Sequence, residues 1–124
     1  MEEQTTEVPR PPGKTTIAPD VLLTIARLAT IDIQGVSRMA SVPGGVSWIS
    51  KRSHADGIRI DIEDDRVYAD IYVILHHNVN VREVSRNIQR EVTRSISKMV
   101  GMEVGGVNIH IEDIDYPSEN PVEA

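Results

Sequence analysis

The sequence contains no cysteine, which excludes disulfides, thiolate metal sites and cysteine nucleophiles. Nothing therefore points to an oxidising compartment, and we expect a cytoplasmic protein. No segment approaches the roughly 20 apolar residues that a membrane-spanning helix requires, and the acidic N-terminus lacks the apolar centre of a signal peptide. We therefore expect no direct insertion into a membrane.

Basic residues are in deficit, since 13 Lys and Arg stand against 19 Asp and Glu, for a formal net charge of −6. A general affinity for nucleic acid or anionic lipid needs surplus basic residues to neutralise phosphates. Any basic surface must therefore be local, and nucleic acid is not the expected partner. The 124 residues are enough for one domain with its own core and too few for two ordinary ones.

Recognisable catalytic motifs are also missing. The segment 45–49 resembles a nucleophile elbow until its fifth residue, which is isoleucine and not glycine. The pairs Gly44-Gly45 and Gly105-Gly106 are too short for phosphate loops and fit a turn and a bulge. We accordingly expect no enzyme, no catalytic residue, no cofactor and no metal.

One alternative to this expectation is a metal-dependent enzyme. His76 and His77 are consecutive, so in a strand they point to opposite faces and cannot bind one ion together. A His/Asp cluster on one sheet face could still bind a metal or move protons, although such residues also form ordinary polar sheet surfaces. Its members would be His76, His110, Asp61 and Asp70.

Residues 80–101 predict one long amphipathic helix. Apolar residues recur every four positions, the spacing of a stripe that packs on a core. They are Val84, Ile88, Val92, Ile96 and Val100. Asn80 with Glu83 three residues later forms a variant of the capping box, and Gly101 is the expected C-terminal stop.

A second stripe on this helix is basic and lies roughly 200° around the axis from the apolar one. Its members are Arg82, Arg86, Arg90, Arg94 and Lys98. Like charges four residues apart each cost an isolated helix about 0.2–0.5 kcal/mol. The stripe is either a solvated face or a docking surface for an acidic partner, a nucleic-acid backbone or anionic lipid. It has no interleaved aromatic residues and no Gly-x-x-Gly clamp, so the sequence favours RNA less than the other partners.

The remaining pattern predicts strands at 14–18, 36–40, 57–63, 67–77 and 104–114 and a first helix at about 19–32. Asp64-Asp65 turns a β-hairpin, and the segment 41–56 gives mixed signals. Residues 1–13 and 116–124 are polar tails predicted to be disordered, which leaves a single domain at 14–115. The order β-α-β-β-β-α-β predicts an α+β two-layer sandwich, with a mixed sheet of about five strands and both helices on one face.

The predicted sheet exposes its other face, where aromatic side chains could anchor self-association. The candidate residues, including one from the uncertain segment, are Trp48, Tyr68, Tyr72 and Ile74. An equally simple interpretation has Trp48 folding its loop back onto its own domain.

The order and spacing of several segments resemble the alkaline shock protein family of bacterial envelope-stress proteins. The matching segments are 13–22, Ile25-Ala26, Gly35-Val36, the hairpin 57–75, the helix positions Val84, Ile88-Gln89, Val92, Ile96, Met99 and Gly101, and Val107-Asn108-Ile109. Two departures lie at turns. Asp64-Asp65 stands where the family often has Asp-Gly, and His77-Asn78 stands where a glycine commonly precedes the second helix.

The resemblance implies a non-enzymatic cytoplasmic protein that self-associates and is held at the inner face of the membrane by a separate anchor protein. It supplies no catalytic residue. The resulting prediction is an interaction or scaffold protein of the envelope stress response, homo-oligomeric and bound to a protein partner. The alternative is a nucleic-acid-binding or lipid-metabolism-linked regulator that uses the basic helix face.

Overall fold

The structure, a computed structural model, describes residues 11–41, the backbone of 53–55, and residues 57–117. Two helices and five strands lie within these ranges. They are α1 (Pro19–Ile31), β1 (Val36–Met39), β2 (Ser53–Ala55), β3 (Ile58–Glu63), β4 (Arg66–His76), α2 (Val81–Val100) and β5 (Glu103–Asp115).

The long strand β4 organises a mixed sheet. Along one edge β5 runs parallel to it, from Arg66 beside Glu103 to His76 beside Asp115. The other edge is shared by two antiparallel strands placed end to end, with β3 opposite residues 66–71 and β1 opposite residues 73–75. The short strand β2 extends the sheet beyond β3. Parallel pairing of β4 and β5 needs a crossover connection, which α2 provides.

Gly57 lies where β1 ends and β3 begins. Its φ of +76° is left-handed, and a Cβ atom there would lie 2.6 Å from the Ala40 carbonyl oxygen and 2.9 Å from that of Tyr72. The backbone of Tyr72 joins both sides, because its N–H donates to Gly57 and its carbonyl accepts from Ala40. Glycine is therefore required for two strands to share one edge of β4.

Both helices pack on the same face of the sheet, as predicted. A core cluster fills the space between the layers, with contributions from α1, α2, β1, β3, β4 and β5. Gly35, just after α1, faces Val79 and Val84 at the start of α2, so the two helices run antiparallel. Burial of Val84, Ile88, Val92 and Ile96 confirms the predicted apolar stripe of α2.

The predicted strand at 14–18 is wrong, because residues 11–18 contain neither helix nor strand and all of them are exposed. Ala18 does have an extended backbone, which is the conformation favoured before a proline, but it pairs with no strand. The sheet still has five strands, because β2 forms in the segment to which the sequence assigned no element.

The sheet departs from regular strand geometry at a turn and at a bulge, and the residues at both places suit their conformations. Asp64 and Asp65, with φ of 51° and 63°, form the two-residue turn between β3 and β4, where both residues must be left-handed. Gly105 is the extra residue of a bulge in β5, as the sequence predicted, and the Tyr68 ring occupies the space where its Cβ would project.

Candidate functional surfaces

The basic face of α2 is held in place by well-formed helix ends and a buried opposite face. The Asn80 side chain accepts a hydrogen bond from the Glu83 backbone N–H at 3.0 Å, and Gly101 ends the helix with φ of 77°. Both predicted caps are thereby confirmed. All five basic side chains on the other side of the helix are exposed.

Few acidic groups neutralise this face. Arg94 pairs with Glu91 at 3.1 Å, one helical turn away, and Arg90 donates to the side-chain oxygen of Asn87 at 2.9 Å. Within the described part of the chain, Arg82, Arg86 and Lys98 have no carboxylate within 4.0 Å. The stripe therefore projects unpaired positive charge from a chain whose net charge is −6.

A shallow depression of about 550 Å³ runs along the same face, lined by Arg86, Gln89, Arg90, Thr93 and Arg94. The Gln89 side-chain amide donates to the Val107 carbonyl oxygen at 2.9 Å, which ties α2 to β5. Because the helix is fixed to the sheet at this point, the arginines stand on a rigid support. Such an arrangement can bind carboxylates or phosphates through charge-assisted hydrogen bonds.

The outer face of the sheet is less open than the sequence indicated. Tyr72 and Ile74 are 8% and 7% exposed, and together with Ala40 they form a second small cluster. The Tyr72 ring stacks on His110 of β5, with ring centroids 4.3 Å apart and planes inclined by 14°. Tyr68 is half-buried against Gly105, and Trp48 lies outside the described residues.

Polar side chains surround this aromatic pair. One carboxylate oxygen of Asp70 lies 3.1 Å from His110 Nε2 and 3.2 Å from the Asn108 amide nitrogen that donates to it. The hydrogen bond to Tyr72 is the main cause that raises the pKa of Arg59, with Asp70 and Asp61 adding to it and burial opposing it. Arg59 Nε is buried and has no partner within the described residues. Most polar groups here are bonded to one another, as in a structural sheet surface.

His76 belongs to a different cluster, at the far end of β4. One oxygen of Asp115 accepts from Ser37 Oγ at 2.6 Å and from Arg38 Nε at 3.1 Å, and the other accepts from Arg38 Nη2 at 3.2 Å. A bulge between Val36 and Arg38 brings both donors to the same carboxylate. These hydrogen bonds, first from Arg38 and then from Ser37, lower the pKa of Asp115, and nearby His76 adds a small effect.

The proposed His/Asp metal cluster is therefore divided in the structure. His110 and Asp70 meet, whereas His76 lies near Asp115, and no group of three potential ligands able to hold a metal occurs among the described residues. The cluster of Ser37, Arg38 and Asp115 was missed by sequence reasoning. No local signal could have found it, because 77 positions separate Arg38 from Asp115.

Neither α1 nor α2, the helices in the described part of the chain, combines the length and apolarity that crossing a bilayer requires.

The geometry defines an α+β domain in which one helix face carries a row of exposed basic side chains. Residues 7–116 match the model of the alkaline shock protein 23 family, described as having a cell envelope-related function. The chain belongs to this family. The family predicted from sequence is thus confirmed, and with it an envelope-related role at that general level.

The chain is also similar to proteins of two bacteria. The chain is 37% identical over 103 residues to Spy1535 of Streptococcus pyogenes serotype M6, covering 82% of this chain and 79% of the relative. It is 28% identical over 109 residues to YqhY of Bacillus subtilis strain 168, covering 86% and 81%. Both are described as uncharacterized proteins.

Among solved structures, a MamM-CTD variant aligns over 77% of this chain and 98% of its own, with a TM-score of 0.47 and 11% identity. This likeness is too weak to bear on the fold or the function.

Proposed function

We propose that this protein is a non-enzymatic interaction protein of the cell envelope, which binds an acidic protein partner near the membrane through the basic face of α2. The supporting observation is the row of five exposed basic residues, of which one pairs with a carboxylate among the described residues. The family's envelope-related description supports the cellular setting.

The physical argument concerns the cost of this face in isolation. The five basic residues form four like-charge pairs at i,i+4 spacing, which together destabilise a free helix by roughly 1–2 kcal/mol. An acidic surface placed against them offsets this repulsion and gains charge-assisted hydrogen bonds. Because the rest of the chain is acidic, the stripe also orients an approaching partner.

Charge reversal tests the proposal. The triple variant Arg86→Glu, Arg90→Glu and Arg94→Glu should lose association with the membrane fraction of cells, while circular dichroism shows an intact fold. A control of equal net charge is Lys14→Glu, Arg27→Glu and Arg66→Glu, which alters basic residues on other surfaces and should retain association. Equal association of both variants would remove the α2 face from consideration.

The same face could serve a nucleic-acid-binding regulator, and direct binding of RNA or DNA separates the two functions. Release of counterions from RNA or DNA makes the logarithm of affinity fall linearly with the logarithm of salt concentration. Tight RNA or DNA binding with this dependence, lost in the triple variant, would replace the protein partner.

Self-association is the second part of the proposed function, and it stays a prediction. Burial of Tyr72 and Ile74 leaves Tyr68 as the more accessible of the three described candidates. Light scattering on the purified chain would measure the mass of the oligomer. A lower mass for the Tyr68→Ala variant would show that the outer face of the sheet contributes to self-association.

A further inference from the structure

A groove separates the two helices on the side facing away from the sheet. It encloses about 620 Å³, and its apolar lining includes Val21, Ile25, Leu28 and Met99. Val21, Leu28 and Met99 are 44%, 53% and 69% exposed, which is unusual for neighbouring large apolar side chains.

The groove exists because small side chains lie between the helices. Thr24 and Ala29 of α1 and Ser95 of α2 line it. They leave space that larger residues would have closed, while Leu22, Leu23, Ile25 and Ala26 of α1 supply the buried contacts to the core. The helix pair is thus stable without covering Leu28, and a second apolar surface remains available.

Acidic residues mark the ends of this groove. Asp20 lies in the first turn of α1, Asp32 caps its C-terminus, and Glu91 lines the α2 side. The last turn of α1 contains no basic residue, so the negative end of the helix dipole adds to the charge of Asp32. Arg94 already neutralises part of Glu91. The two aspartates therefore supply most of the negative potential, and it is stronger at Asp32 because the positive end of the helix dipole offsets part of the charge of Asp20.

We propose that the α1–α2 groove binds a basic amphipathic helix of a partner protein, distinct from the acidic partner of the α2 basic face. Asp20 and Asp32 are twelve positions apart, which corresponds to roughly 18 Å at 1.5 Å per residue. A helix of about three turns fits this length, with apolar residues at i, i+3 or i+4 and i+7 against Leu28 and Met99. Its lysine or arginine residues then face Asp20 and Asp32.

Charge selects this occupant over the others. In a two-fold contact between copies of this chain the same patch meets itself, which brings the four aspartates of two copies into one interface. The α2 basic face of another copy carries the right charge, but its exposed side has no apolar row to fill the groove. Anionic lipid is repelled by Asp20 and Asp32.

The test uses two fluorescein-labelled 14-residue helical peptides with the same leucine stripe. All the remaining positions are lysine in one peptide and glutamate in the other. Fluorescence anisotropy on the full chain should detect binding of the lysine peptide in the groove. Any binding of the glutamate peptide should be lost in the Arg86, Arg90 and Arg94 reversal, which would assign it to the α2 basic face. Leu28→Glu should weaken lysine-peptide binding about tenfold or more, the effect of an interface hot spot. The control Ile62→Glu, at a residue 44% exposed on the sheet, should leave binding unchanged.

A second pair of variants separates the groove from non-specific attraction to an acidic chain. Asp20→Lys with Asp32→Lys should weaken binding of the lysine peptide and strengthen that of the glutamate peptide. Glu63→Lys with Glu112→Lys makes the same change in net charge at exposed positions of the sheet and should have little effect.

Three outcomes would overturn the proposal. The first is equal loss of binding in the two charge variants, and the second is unchanged binding by Leu28→Glu. The third is a dimer that Leu28→Glu dissociates in the absence of peptide binding, which would make a second copy the occupant. The Arg86, Arg90 and Arg94 reversal should not weaken lysine-peptide binding. The proposal for the groove can therefore fail while the proposal for the α2 basic face stands, and the reverse.

Discussion

Replacing Gly57 with alanine should destabilise the fold strongly, because this residue joins the two strands that share one edge of β4. At its φ of +76° a non-glycine residue costs about 1–2 kcal/mol. The new Cβ would also lie 2.6 Å from the Ala40 carbonyl oxygen, and this contact involves backbone, which cannot move aside as a flexible side chain does.

Relief of this clash requires the backbones of β1 and β3 to separate from Tyr72. The hydrogen bonds at stake are Ala40 N–H to the Tyr72 carbonyl at 2.8 Å and Tyr72 N–H to the Gly57 carbonyl at 2.7 Å. Each contributes about 0.5–1.5 kcal/mol, so the whole substitution should lower the free energy of unfolding by about 2–5 kcal/mol. With a urea m-value of about 1.5 kcal/mol/M, the midpoint should fall by roughly 1–3 M.

Gly101→Ala is the matched control. Gly101 has nearly the same φ, +77°, but nothing lies within 4 Å of the position of a Cβ atom there. The free energy of unfolding of this variant should fall only by the cost of placing a non-glycine residue at positive φ, about 1–2 kcal/mol. Urea unfolding followed by circular dichroism measures both variants, and equal midpoints for the two would refute the role assigned to close backbone approach at Gly57.

Three further substitutions test other parts of the structure. Asp65→Gly should raise the free energy of unfolding by about 0.5 kcal/mol, since it removes the strain of φ 63° but increases the freedom of the unfolded chain; an unchanged or lower urea midpoint would contradict this. Ile88→Ala, at a residue 0% exposed, should cost about 2–5 kcal/mol in the same assay, and a loss below 1 kcal/mol would mean that the α2 stripe is not core. The lowered pKa of Asp115 means that its carboxylate stabilises the fold above its unfolded pKa near 3.8 and that this contribution disappears as pH falls through the folded value. Asp115→Asn should therefore lower the melting temperature at pH 7 and flatten its decline below pH 4. If melting temperature changed with pH in the same way in both proteins, the pKa of Asp115 would not be lowered by folding.

Local patterns predicted the elements whose stabilising contacts are close in sequence. The helix α2 is the clearest case, since its caps join Asn80 to Glu83 and Ser97 to Gly101, each within four residues. The β3–β4 hairpin is similar, because alternation and a two-residue turn suffice to set its register. Exposure of the basic stripe followed from the same periodicity, and the structure agrees.

Errors arose where the outcome depended on distant partners. Residues 14–18 have a strand-like composition but found no strand to pair with, and β2 formed in a segment with no clear pattern. Tyr72 was predicted on an open face, yet it stacks on His110, whose position depends on the parallel pairing of β4 and β5. The exposure of Leu28 also depends on a distant partner, because small side chains of both helices leave a groove beside it.

The sequence by itself determined the two helices, the hairpin, the membership of the family and the separation of α2 into an apolar and a basic face. These features follow from periodicity and capping, which act over a few residues. Only the tertiary structure decided that β1 and β3 share an edge of β4 at Gly57, that Arg38 meets Asp115, and that a groove with acidic ends lies between α1 and α2. Each of these depends on which surfaces the folded chain brings together, and contacts between residues tens of positions apart leave no periodic trace in one sequence.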